Sequence, residues 1–156
     1  MTRFRFLELT VLLVLLGSAT YEAAVALQWI PVGKEPGDNA RFEGLVMSLA
    51  LLAFLGGIVI SIGLAARDRR SVVGALIPVA GAVMMIARYY TFDTYYLPSL
   101  TRYSEGSFST SWVYGLAIAS VSACVLSLVK PRIGAVTAVV VLFLCAFTVS
   151  FFGIGK

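Results

Sequence analysis

The sequence predicts an all-α, polytopic integral membrane protein: a bundle of five transmembrane helices with its N-terminus in the cytoplasm and its C-terminus outside. Of 156 residues, 60% are hydrophobic and 13% are charged, and the mean hydropathy is +0.94. Soluble domains average about 45–50% apolar and about 25% charged residues. A soluble chain of this size could not hide the excess apolar surface from water. We therefore expect lipid to surround most of the chain.

Five segments are long and apolar enough to form membrane-spanning helices, which need about 20 mostly apolar residues. These segments are residues 6–30, 43–66, 72–90, 111–129 and 133–154. They use most of the chain, so we expect residues 1–156 to form a single transmembrane domain. The first segment begins like a secretory signal, but its apolar stretch exceeds the about 7–15 residues typical of a signal core. We expect it to remain as an uncleaved helix.

The orientation follows from the basic residues in the connections. Residues 31–42 and 91–110 are the two outer loops, and residues 67–71 and 130–132 are tight turns on the other side. The side with the tight turns is richer in Lys and Arg, and basic residues in short loops favour the cytoplasmic side. Its basic residues are Arg3, Arg5, Arg67, Arg69, Arg70, Lys130 and Arg132.

Small residues spaced by four mark the helix faces that we expect to pack closely, because helices in lipid associate through close contact of their backbones. The fourth segment has the longest such stripe, and the second and third segments have shorter ones. The members are Ser111, Gly115, Ala119, Ala123 and Ser127; Ala53, Gly57, Ser61 and Ala65; and Gly74 and Gly81. Two interpretations stay open: packing within the bundle, or contact with another membrane protein.

Two of the charged residues in the predicted spans, Glu22 and Arg88, are candidates for a buried pair. Glu22 lies in the first span and Arg88 near the outer end of the third, at similar depths. An ionisable group in lipid costs several kcal/mol unless it is paired, so we expect Glu22 and Arg88 to form an intramembrane ion pair. A proton or ligand site at Glu22 is the functional alternative. Glu8, near the cytoplasmic edge, is expected to pair with one of the arginines at that edge, Arg67, Arg69 or Arg132.

The long outer loop and its flanks are rich in aromatic residues. An aromatic belt at the membrane interface is the simplest interpretation. Loops on a rigid scaffold also carry binding sites, so contacts with a lipid headgroup, a quinone or a partner domain are the alternative. The residues concerned are Tyr89, Tyr90, Asp93, Tyr95, Tyr96 and Arg102.

The sequence lacks the residues and motifs that several kinds of catalysis and binding require. There is no histidine, the commonest general base and metal ligand. Phosphate-binding glycine loops and nucleophile motifs are also missing, as is any basic patch suited to nucleic acid. We therefore expect no enzymatic activity, no metal, no cofactor and no binding of nucleic acid. The expected partners are membrane lipids and other integral membrane subunits, in a hetero- or a homo-oligomer.

These observations favour a non-catalytic, multi-pass subunit of the cell membrane that packs against and stabilises a larger complex of the respiratory, monooxygenase, secretion or transport type. Two alternatives stay open. One is a small oligomeric transporter or channel that uses Glu22. The other is a lipid- or quinone-binding protein that uses the outer aromatic loop.

Overall fold

The computed structural model describes residues 3–27, 29, 40–91 and 110–154. Over these ranges the regular secondary structure consists of five α-helices, each long and apolar enough to cross a membrane. The helices are α1 (Arg3–Ala26), α2 (Ala40–Arg67), α3 (Val72–Thr91), α4 (Thr110–Val129) and α5 (Pro131–Ile154). The predicted all-helical fold with five membrane-length helices is confirmed, and it supports a multi-pass membrane protein. The direction of insertion stays a prediction.

The outer surface of the bundle is apolar. Large hydrophobic side chains such as Leu52, Val59, Ile118 and Phe143 are exposed on the outward faces of three different helices. A helix that is apolar on its outward as well as its inward face suits a lipid surrounding. Spanning helices also satisfy their backbone groups internally, as lipid requires.

Helix α3 lies at the centre of the bundle and packs against all four other helices, which follow one another around it in the order α1, α2, α5, α4. In an apolar stretch of 18 residues within α3, 56% of the residues are buried, against 22% in the corresponding stretch of α4. The core around α3 is formed by fully buried apolar side chains, among them Phe54, Ile77, Met84, Met85 and Leu142.

In the connection between α2 and α3, two backbone hydrogen bonds cap the C-terminus of α2. The N–H of Asp68 donates to the carbonyl of Ala65 at 3.4 Å, and the N–H of Arg69 donates to the carbonyl of Leu64 at 3.2 Å. This pair of bonds is the Schellman arrangement, in which the residue after the helix adopts a left-handed backbone. Asp68 has that backbone, with φ of 49°. The Ser71 side chain then accepts the N–H of Gly74 at 3.1 Å and caps α3.

The hairpin between α4 and α5 depends on a glycine. A Cβ added at Gly134 would collide with the backbone of Leu126 and Ser127. The first turn of α5 therefore lies directly against the last turns of α4, and Pro131 starts α5 at the position where a missing N–H costs nothing.

The helix ends differ from the predicted spans by a few residues. Helix α1 ends at Ala26 rather than at residue 30, because the N–H of Trp29 bonds to the carbonyl of Ala24 at 2.9 Å and closes the helix. Helix α2 begins at Ala40, three residues before the predicted span. Residues 40–42 of the predicted outer loop 31–42, and residues 91 and 110 of the predicted outer loop 91–110, therefore belong to helices. The rest of both loops lies outside the described residues.

Candidate functional site

The two ends of the bundle differ in composition. The loop end contains the last turns of α1 and α3 and the first turns of α2 and α4, next to residues 31–39 and 92–109. The arginine end contains the first turn of α1, the α2–α3 turn and the α4–α5 turn, with Arg5, Arg69 and Arg70 among its exposed residues. Among the described residues, most polar contacts between helices lie at the loop end.

A buried ion cluster joins three helices at the loop end. Nη1 of Arg88 on α3 donates to Oε1 and Oε2 of Glu22 on α1, at 3.2 and 3.3 Å. The same nitrogen donates to Oε1 of Glu43 on α2 at 2.9 Å. The Arg88 side chain is 0% exposed, that of Glu22 1% and that of Glu43 16%. The structure therefore brings Glu22 and Arg88 together and adds a second carboxylate.

Neighbouring contacts hold this ion cluster in place. The Thr91 hydroxyl is within 2.9 Å of the backbone carbonyl of Glu22 and 3.0 Å of the carbonyl of Ala87. The rings of Tyr21 and Phe42 meet edge to face, with centroids 5.2 Å apart. Each contact involves a residue of the ion cluster or a chain neighbour of one, so α1 is fixed against α2 and α3 at this level.

The ion cluster is suited to fixing the relative positions of three helices. Removing charges from water is costly, and a buried pair repays that cost only with good geometry and further hydrogen bonds. Nη1 of a guanidinium has two N–H donors, so this one nitrogen of Arg88 can bind both Glu22 and Glu43. Any sliding of α1 or α2 along α3 would separate charges in a nonpolar surrounding.

Glu43 was not predicted from the sequence to belong to this site. A signal for it was present, because Glu43 stands in the first turn of α2, where a carboxylate is favoured by the positive end of the helix dipole. The antiparallel order of α1, α2 and α3 also places the first turn of α2 at the depth of Glu22 and Arg88. Glu43 was predicted as the first residue of the second span, but it was not considered as a partner of Arg88.

Of the residues predicted to form outer-loop contacts, two are described by the structure. Tyr89 and Tyr90 lie in α3, where the Tyr89 hydroxyl is 2.9 Å from Oγ1 of Thr110 and the Tyr90 hydroxyl bonds to that of Tyr114. Both contacts link α3 to α4. Asp93, Tyr95, Tyr96 and Arg102 lie outside the described residues.

The small-residue stripes of α2 and α3 face the inside of the bundle. A Cβ at Gly57 would lie 2.8 Å from Cγ2 of Ile77, and a Cβ at Gly81 would lie 2.8 Å from Cε1 of Phe54. The other members, Ala53, Ser61, Ala65 and Gly74, are buried or half-buried. These small residues let the backbones of α2 and α3 approach large core side chains.

The stripe of α4 divides between the inside and the outside. Ala123 is buried, and Ala119 and Ser127 are half-buried, whereas Ser111 and Gly115 are exposed. A Cβ at Gly115 would meet nothing within 4 Å. Ser111, Gly115, Ile118 and Ser122 are exposed at helical spacing, and we call this surface the α4 outer face.

Within the described residues there is no group of three or more His, Cys, Asp or Glu side chains that could hold a metal ion. Cys124 and Cys145 are both free thiols. No protein-family model, curated protein or solved structure matches the chain. Its function is therefore inferred from its own contacts, charges and exposed faces.

Proposed function

We propose that this chain is a non-catalytic subunit of the cell membrane that packs against, and stabilises, a larger membrane protein complex of the respiratory, monooxygenase, secretion or transport type. The α4 outer face is the proposed contact surface, and its partner is a membrane-spanning helix of a different protein. The observation that carries this proposal is the exposure of Gly115 at the centre of that face.

The physical reason is the way helices associate in lipid. Lipid tails are as apolar as leucine, so helix association depends on close packing, which small residues permit. The small residues of α2 and α3 already serve this purpose inside the bundle. Those of the α4 outer face are left open, on the helix whose span has the smallest buried share of the five.

The ion cluster supports a structural role for the loop end. Glu22 accepts two hydrogen bonds from Arg88 and is 1% exposed, and Arg88 also binds Glu43. These contacts favour fixing the register of α1, α2 and α3 over the alternative in which Glu22 couples transport. A bundle with fixed helix positions would present the α4 outer face in a constant shape.

The test is substitution of Gly115 by leucine in the full-length chain in its native membrane. Gly115 is exposed, and a Cβ added there would have nothing within 4 Å, so the fold is expected to remain. Gly17 offers a matched control, because it is also exposed within a helix and also has nothing within 4 Å of an added Cβ. Its neighbours one turn away, Leu13 and Tyr21, are large.

After extraction in mild detergent, the native chain and Gly17→Leu should purify with the same partner in fixed stoichiometry. Gly115→Leu should lose that partner while keeping its helical content and thermal stability. The proposal fails if the native chain purifies as a monomer, or if Gly115→Leu and Gly17→Leu retain the partner equally.

A further inference from the structure

A cavity at the arginine end, opposite the ion cluster, has features that neither the packing nor the proposed function explains. It has a volume of about 390 Å³ and lies between the first two turns of α1 and the segment that leads into α3. Ligand pockets usually occupy about 300–1,000 Å³, so the space is sufficient for a small polar group. Its lining residues are Arg5, Glu8, Leu9, Arg69, Arg70, Ser71, Val72 and Val73.

One part of this cavity is strongly positive. Arg5, Arg69 and Arg70 contribute three exposed guanidinium side chains. The N-terminus of α3, a helix of 20 residues capped by Ser71, opens into the same space. Helix N-termini and arginine side chains both favour phosphate groups. This half of the cavity is suited to a phosphate.

The other part contains a buried carboxylate. Glu8 is 1% exposed, and its Oε1 atom has no hydrogen-bond partner among the described residues. The expected ion pair with Arg67, Arg69 or Arg132 is not formed: the guanidinium of Arg67 lies over the ring of Phe4 instead, at 5.6 Å from its centroid. A buried carboxylate without a donor is costly, so a ligand that brings hydrogen-bond donors to Glu8 would be favoured.

The cavity also has an apolar side. Leu9 and Val72, which line it, are exposed at the bundle surface, where the membrane-length helices α1 and α3 begin. A polar group bound in the cavity can therefore continue into acyl chains along the helix surfaces. This position favours a lipid over a soluble metabolite.

We propose that this cavity binds the headgroup of a phospholipid with a primary ammonium group. The arginines and the N-terminus of α3 hold the phosphate, and Glu8 accepts hydrogen bonds from the ammonium. An ammonium has three N–H donors, whereas the quaternary ammonium of phosphatidylcholine has none and phosphatidylglycerol has no positive charge. The site should therefore distinguish phosphatidylethanolamine from both.

The experiment measures lipid binding to the purified full-length chain in detergent by native mass spectrometry. Phosphatidylethanolamine, phosphatidylcholine and phosphatidylglycerol with the same acyl chains are added one at a time. We expect phosphatidylethanolamine to bind roughly tenfold more tightly than either of the others, the effect of one charge-assisted contact. Equal binding of the three lipids by the native chain would overturn the proposal.

Three variants separate the roles of the lining residues. Glu8→Gln should abolish the preference for phosphatidylethanolamine while binding through phosphate persists. The double variant Arg69→Gln/Arg70→Gln should weaken all three lipids. Arg132→Gln, a control at an exposed arginine of the same end outside the cavity lining, should leave binding unchanged. A preference that survives Glu8→Gln would remove Glu8 from the site.

A soluble competitor distinguishes the source of the headgroup. Glycerophosphoethanolamine carries the same phosphate and ammonium without acyl chains. It should fail to displace phosphatidylethanolamine at equal concentration, because it lacks the contacts with Leu9 and Val72. Complete displacement under these conditions would contradict the assignment to a lipid.

Discussion

At the scale of single residues, Arg88 determines the electrostatics of the bundle. It is fully buried and binds the carboxylates of Glu22 and Glu43. Removing one partner of a buried pair leaves an uncompensated charge and costs about 3–5 kcal/mol. We therefore expect Arg88→Met to lower the free energy of unfolding in detergent by about that amount.

A double-mutant cycle checks the origin of that loss. Because Glu22→Leu removes the more buried of the two carboxylates that bind Arg88, the variant Arg88→Met/Glu22→Leu should be more stable than the sum of the two single losses predicts. The coupling should fall within about 0.5–3 kcal/mol, as for residues in direct contact. Strict additivity of the two losses would mean that the ion pair does not couple α1 to α3.

Gly134 and Gly115 form a second comparison at this scale. Gly134→Ala forces a Cβ into the backbone of α4 and should destabilise the protein by at least about 1–3 kcal/mol, the usual cost of overpacking. Gly115→Ala places its Cβ in open space and should stabilise the chain by up to about 1 kcal/mol, because alanine favours helix. Thermal unfolding of both variants in the same detergent checks the order, and a loss of stability in Gly115→Ala that equals that in Gly134→Ala would contradict it.

The ion cluster shows which contacts of single charged residues could be predicted from the sequence and which could not. The high cost of a charge in lipid and the similar depths of Glu22 and Arg88 were enough to predict their pairing. The third member, Glu43, was not predicted because its position depends on where α2 begins, and Ala40 precedes the predicted start. Glu8 was expected to pair with an arginine because three arginines are predicted within side-chain reach at the same membrane edge. Their depth in the sequence could not show that Arg67 lies over the ring of Phe4 instead.

At the scale of elements, the α2–α3 turn is closed by a residue with an unfavourable backbone. Asp68 has a positive φ, and glycine is the usual residue at this position of a Schellman motif. Asp68→Gly should keep or slightly raise stability, whereas Asp68→Val should lose about 1–2 kcal/mol, the cost of a left-handed backbone for an ordinary residue. Denaturation of the two variants measures the difference, and equal stability would exclude backbone strain at this turn.

The packing face of helix α4 could be predicted from the sequence only in part. The spacing of its small residues predicted a packing stripe from residue 111 to 127, but not which part of it faces the bundle. That depends on the position of α4 between α3 and α5, where the first turn of α5 packs on its last turns at Gly134. Ser111 and Gly115, at the other end of the stripe, are exposed.

At the scale of the whole molecule, composition and segment length were sufficient to predict five membrane-length helices. Their arrangement around α3 was not predicted, because it depends on contacts between residues far apart in sequence.

The orientation in the membrane is a prediction that single cysteines can check. In a background with Cys124→Ala and Cys145→Ala, Arg69→Cys should react with a membrane-impermeant thiol reagent only from the cytoplasmic side.

Phe42→Cys, an exposed position at the loop end, is the matched probe and should react only from the outside. The reason is the excess of basic residues at the arginine end, which favours its retention in the cytoplasm. Reversed labelling of the two positions would invert the assigned orientation.

The proposed role requires the α4 outer face to contact another membrane protein, and site-specific photo-crosslinking in the native membrane tests this contact most directly. A photoreactive residue replaces Ile118, which is 69% exposed on that face, or Leu13, which is 59% exposed on α1. We predict that position 118 gives one defined adduct with a different membrane protein and that position 13 gives only lipid adducts. Lipid adducts alone at both positions, or an adduct with a second copy of this 16.7 kDa chain, would contradict the proposed role.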